Sequence, residues 1–200
     1  METTQARPVV RERMSTPWGL AQDVELIAPG IGTVSTAGHG GFKLSRERNA
    51  AMPAYMRRDG GWYEEDCEWS LVGLVFEAEL RAWADKTTWT TGDFQVECAH
   101  RTSKNCYPRE WERFTGRTLR PSESYVLKQE AFDRLNAERW IVISAITSKT
   151  RPGMVETYAS IGGRRGVGGE RRFYIPASDY SARGHFGYVI EDPSAFEEMV

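Results

Sequence analysis

His39 stands in the run Ser35-Thr36-Ala37-Gly38-His39-Gly40-Gly41, and an imidazole, whose unperturbed pKa lies near neutrality, can serve as base, acid or metal ligand. The glycines beside it admit positive φ and leave backbone N–H groups open to a ligand. The same glycines also suit a tight turn in which His39 is a hydrogen-bonded structural residue. A second run, Trp62-Tyr63-Glu64-Glu65-Asp66-Cys67-Glu68-Trp69, is dense in carboxylates. Read as the first turns of a helix, it makes Glu64 and Glu65 each a neighbour of Glu68, because only spacings of three or four share a face. Such a pair could hold a divalent cation through oxygen or raise one carboxyl pKa for acid–base work. Opposition to the helix dipole explains the same acids without any ligand. Cys67 sits among carboxylates, which raise a thiol pKa; the approach of His39 would reverse that. Together these residues describe a small enzyme, with His39 as general base or nucleophile partner and Glu65, Asp66 or Cys67 as the second group. That chemistry requires the glycine turn and the start of a helix over 62–82 to meet around an open pocket.

Two further groups carry less. Cys98, His100 and Cys106 have irregular spacing and no fourth partner pattern, so no metal and no cofactor is expected. The run from Gly162 to Arg172 reads as a glycine-rich hairpin loop in which Arg164, Arg165, Arg171 and Arg172 could contact phosphates or an acidic protein face. It reads equally as a solvent-facing turn. Trp62 and Tyr63 are candidate anchors on a protein partner. The chain has no HExxH, no GxSxG, no phosphate-binding P-loop and no complete dinucleotide fingerprint.

Composition bounds the class. With 40% hydrophobic and 12% aromatic residues, 200 residues can bury a core unaided. A net charge of -2 supplies neither the basic excess that drives phosphate binding nor dense acidity, so nucleic acid would need a local patch. Residues 1–14 lack the apolar core of a signal peptide, and no window approaches the ~18 apolar residues that span a bilayer. Three cysteines cannot complete a disulfide framework and suit a reducing compartment, so no membrane and a cytoplasmic location are expected.

The elements that must position these groups follow from periodicity. Residues 1–14 read as a flexible arm and 15–200 as one domain. Strand character around Pro29-Gly30 predicts a hairpin over 22–36. Ser45 can cap a helix over 46–58 that Pro53 kinks or divides. The helix over 62–82 is apolar around much of its circumference and should be central to the core. Residues 86–98 alternate loosely around Gly92, 99–116 holds a further helix, and Pro121 opens an amphipathic helix ending near Ala137. The β-branched and aromatic runs 140–147, 154–161, 171–175 and 187–190 predict an antiparallel meander. The expected fold is therefore α+β, with helices packed on an antiparallel sheet made by the hairpin and the meander.

The segments Thr16-Pro17-Trp18-Gly19, Ser35 to Phe42 and Gly60-Gly61-Trp62-Tyr63-Glu64-Glu65-Asp66-Cys67-Glu68-Trp69 together resemble an uncharacterised domain family carried by phages, plasmids and other bacterial mobile elements. The resemblance covers about residues 15–85 and continues less specifically from about 120 to 195. It implies a bacterial host cytosol and an accessory role in conflict between element and host, and it assigns no catalytic residue. The leading expectation is a protein that binds and inhibits a host defence component such as a nuclease effector, with the His39 enzyme and the arginine-loop nucleic-acid module as alternatives.

Overall fold

The computed structural model describes residues 8–166 and 169–199. Residues 1–7 of the expected arm, Val167 and Gly168 of the arginine loop, and Val200 lie outside the described residues. The chain divides into two compact units, Met1–Val126 and Leu127–Val200, and each is described by itself.

The first unit opens with a short antiparallel pair, β1 (Ser15–Thr16) and β2 (Gly19–Leu20). Before it, Val10 is buried against Ala21 and Val34, with Val9, Met14 and Trp18 around it. Arg13 also donates its backbone N–H to Ala21 O at 2.9 Å. The arm reading is therefore corrected for residues 9–14: Val9 and Val10, flanked by charges in sequence, find an apolar seat. The expected hairpin forms from β3 (Asp23–Ala28) and β4 (Ile31–Ser35), turning at Pro29-Gly30. A third strand, β5 (Gly40–Leu44), leads to α1 (Arg46–Ala51), whose Ser45 side chain accepts from the Arg48 N–H. The helix stops at Met52, which is extended (φ -62, ψ 140), because the residue before a proline is pushed out of the helical region.

The acidic run departs most from expectation. Trp62–Glu64 is a strand, β6, paired antiparallel with β5 in the register Gly41 to Glu64, Phe42 to Tyr63 and Lys43 to Trp62. Glu65 N–H extends the ladder to Gly40 O at 3.1 Å. The sheet order is β3-β4-β5-β6. Helix begins only at α2 (Trp69–Val75) and resumes in α3 (Glu77–Ala84). Trp and Tyr favour the pleated surface, and the open edge of β5 needs a partner, so strand pairing wins over a helical start. Glu64, Glu65 and Asp66 thus lie on a strand end and a turn, and of the four carboxylates only Glu68 stands at a helix start, as the N-cap of α2.

Two helices complete the unit. α4 (Gly92–Cys106) is capped by Thr91, and α5 (Pro108–Thr115) has proline at its start and a left-handed Gly116 at its end. Leu71, Val72 and Leu74 of α2, Leu80 and Ala84 of α3, and Val96 and Ala99 of α4 are buried. The apolar stretch after the acidic run is central to the core, as its periodicity predicts.

After a single turn at Pro121–Glu123 comes α6 (Tyr125–Leu135). The second unit is built on β7 (Trp140–Thr147), β8 (Met154–Ile161) and β9 (Arg171–Pro176), followed by α7 (Ala177–Ser181), β10 (Val189–Ile190) and β11 (Glu197–Glu198). All pair antiparallel in the order β10-β7-β8-β9-β11. Ala159, Phe173, Ile175 and Ile190 form its core. The fold is α+β with antiparallel sheets, including both the N-terminal hairpin and the C-terminal meander; each belongs to its own sheet.

Candidate functional site

The turn from β4 to β5 is built by Thr36. Its backbone N–H donates to His39 O at 2.7 Å, and its hydroxyl accepts from the His39 N–H at 3.2 Å. This seats the imidazole at the mouth of the strand pair, where the Trp18 ring meets it edge to face at 5.8 Å. Because β6 pairs with β5 in the stated register, Glu64 and Glu65 arrive beside the same turn.

The two glycines after His39 make the approach possible, and neither has positive φ. A Cβ on Gly40 would strike the Glu65 carboxylate and come within 2.7 Å of Val34 O. On Gly41 it would strike Tyr63 O and the Trp18 ring. The expectation that these glycines serve a left-handed turn is corrected: they let Glu65 and Trp18 lie directly against the strand.

His39 Nδ1 lies 2.9 Å from Glu65 Oε1. A carboxylate only accepts, so Nδ1 carries a proton; Nε2 holds a lone pair when the ring is neutral and a second proton when it is charged. Nε2 is 3.4 Å from Glu64 Oε1. The imidazole pKa is raised above 6.5, chiefly by the Glu65 hydrogen bond, opposed by desolvation and supported further by the charges of Glu64, Glu65 and Asp66. The His39 side chain keeps 34% exposure, so the ring is reachable.

Glu64 is itself fixed. Its carboxylate accepts the backbone N–H groups of Asp66 and, at 3.2 Å, Cys67, while its own N–H donates to Glu68 Oε2 at 3.2 Å. Glu68 in turn holds Arg58 Nε at 2.5 Å. His39, Glu64 and Asp66 each offer a ligand atom, all within 4.8 Å of one another, and among the described residues this is the group that could hold a metal ion. An open groove of about 460 Å³ adjoins Glu65, lined also by Asp23, Glu25, Thr33, Ser35 and Gly41.

Of the residues singled out by sequence, the structure unites His39, Glu65 and Asp66, and it brings Glu64, expected to pair with Glu68, to the imidazole instead. The place of Glu64 beside His39 follows only from reading Trp62–Glu64 as a strand in register with the glycines. Cys67 is corrected: it is joined to Cys106 in a disulfide with a Cα separation of 6.3 Å and has no thiol to offer. The pairing also takes Cys106 away from Cys98 and His100. His100 Nδ1 accepts from Trp111 Nε1 at 3.0 Å. Tyr63 has no exposed surface, and its hydroxyl donates to Asn49 Oδ1 at 2.8 Å, so it is core and not an anchor. Trp62 is half-buried under the Lys43 ammonium. Arg171 and Arg172 belong to β9, not to the loop. Arg171 is paired with Glu198, Arg172 lies over Tyr158, Arg165 donates to Ile143 O, and Arg164 is exposed.

With the site confined to the first unit, a model for a domain of unknown function, DUF7007, matches residues 11–137. The chain belongs to the DUF7007 family. The match takes in every strand and helix around His39 and ends before β7. No curated protein and no solved structure matches the chain. Among the described residues, no helix of this DUF7007 protein is long and apolar enough to cross a membrane.

Proposed function

We propose that the DUF7007 half of the chain is a small hydrolytic enzyme centred on His39, with Nε2 as the working atom that activates water for attack on a substrate lying along the adjoining groove. The observation that carries this reading is the 2.9 Å contact of Nδ1 with Glu65, which fixes the ring and, in its neutral form, leaves the lone pair on Nε2. Glu65 is the positioning residue; Glu64 and Asp66 stabilise positive charge that develops beside the ring. The test is turnover by the full chain of ester, amide and phosphoester model substrates, each measured beside His39→Asn. Turnover of at least one class, falling by roughly 10²-fold or more in the variant, is expected. No turnover in any class, or equal turnover in both proteins, overturns the reading.

The wider role rests on the motif resemblance: an accessory protein of a phage or plasmid, acting against a host defence component; the Cys67–Cys106 disulfide removes the cysteine argument for a reducing compartment. A plasmid-transfer assay in a defence-bearing host separates catalysis from simple occupancy. Protection that survives His39→Asn makes the protein a binding inhibitor; protection lost with it makes the chemistry the effector.

A further inference from the structure

We propose that His39, Glu64 and Asp66 form a binding site for a divalent transition-metal ion, Zn²⁺ by its donor set, with Glu65 holding the imidazole in place as a ligand. The proposal rests on the preceding reading of a water-activating centre and revises the part of Nε2: the atom ligates the ion, and the ion, not the imidazole lone pair, activates the water.

Four observations converge. The donors are one imidazole nitrogen and two carboxylates, all within 4.8 Å of one another. Their contact of fixed geometry, His39 Nε2 to Glu64 Oε1, measures 3.4 Å. Two ligands on a tetrahedral ion at bonds of about 2.1 Å stand about 3.4 Å apart, so this pair needs no rearrangement. Third, the nitrogen of His39 that faces away from the cluster is bonded to a carboxylate, Glu65 Oε1 at 2.9 Å. Carboxylate, imidazole and metal in that order is the arrangement by which proteins orient a ligating histidine and raise its basicity. Fourth, Glu64 is steadied by the amides of Asp66 and Cys67, and its two oxygens, with about four lone-pair sites, retain capacity for an ion.

The chemistry selects the ion. A nitrogen donor with only two carboxylates falls short of the six to eight oxygens that calcium takes and departs from the oxygen shell magnesium prefers, whereas imidazole with carboxylate suits zinc. Three protein ligands leave a coordination position open, the pattern of a catalytic and not a structural zinc. Asp66 is exposed, so that position faces solvent. Glu64, Glu65 and Asp66 surround one ring, and a divalent cation offsets the charge they concentrate there. Such an ion supplies Lewis acidity to water, which is the activation required above.

The experiment is equilibrium dialysis of the metal-stripped full chain against buffered Zn²⁺ at pH 7.5, with His39→Asn, Asp66→Asn and Glu65→Gln run in parallel and folding checked by circular dichroism. One equivalent of zinc is expected in the wild type. Its affinity should fall at least tenfold in Asp66→Asn, an exposed position where folding is not at stake, and more in His39→Asn. In Glu65→Gln it should fall 10–100-fold. Absence of that equivalent, or one whose affinity is the same in His39→Asn and Asp66→Asn, overturns the site; the latter result would place the ion elsewhere, as at Cys98 and His100. Zinc bound at His39 without turnover of any substrate class upholds the site and removes the enzymatic reading. Turnover with no zinc bound does the opposite.

Discussion

His39 and Glu65 are 26 positions apart in the chain, yet Nδ1 of one lies 2.9 Å from Oε1 of the other. That contact is made by sheet register: β6 lies beside β5, and Glu65 N–H bonds Gly40 O. The site is therefore as rigid as the ladder that carries it.

Its first consequence is a pH profile. The His39 pKa is raised, so the stabilisation its protonated form gives is complete below the unfolded value of about 6.5 and is lost as pH rises through the folded value. NMR titration of the ring protons should show a midpoint above 6.5 that moves down in Glu65→Gln. Any reaction needing the free Nε2 lone pair should rise with pH through the same midpoint.

Gly40→Ala tests the close approach. A methyl group there collides with the Glu65 carboxylate and lies 2.7 Å from Val34 O. Stability should fall by about 1–3 kcal/mol in denaturant unfolding. The His39 midpoint should drop as in Glu65→Gln, since Glu65 must leave the ring.

Reduction of Cys67–Cys106 opens a crosslink spanning 39 residues. By loop entropy this should cost about 4 kcal/mol. Unfolding of the full chain with and without reductant, beside Cys67→Ser with Cys106→Ser, measures it. Because Cys67 N–H donates to Glu64, a shift of the His39 resonances on reduction is also expected.

The second sheet carries its own prediction. Glu197 and Glu198 have pKa values below 4.5, lowered by their bonds to Arg151 and Arg171. The stability these pairs lend is present above 4.5 and is lost as pH falls through the depressed values. Cross-strand contacts between β11 and β9 should vanish from NMR spectra in that acid range, before those between β7 and β8.

How much of this was legible in the chain differs by element. The runs 140–147 and 154–161 coincide with β7 and β8 because β-branched and aromatic residues there alternate without competing signals. Ser45 caps α1 as expected, whereas Pro53 ends the helix outright, so the helix expected to reach residue 58 stops at Ala51. The acidic run misled because four carboxylates before an apolar stretch imitate a helix start, while the edge of β5 that makes Trp62–Glu64 a strand is twenty positions away. Val10 looked like part of an arm since its seat, Ala21 and Val34, is formed by other strands. His39, Glu64, Glu65 and Asp66 were visible by residue type; that Glu64 meets the imidazole and not Glu68 alone was not, because its place depends on register. Pairing of Cys67 with Cys106 likewise depends on how α2 meets α4, which no local pattern encodes.

The DUF7007 match ends at residue 137, and β7 begins at Trp140. Among the described residues, no strand on one side of that junction pairs with a strand on the other. A recombination joint that keeps each unit whole therefore falls at Val126–Leu127 and not at the end of the family match, because α6 beyond that point carries Phe132 against Phe186 of the second unit.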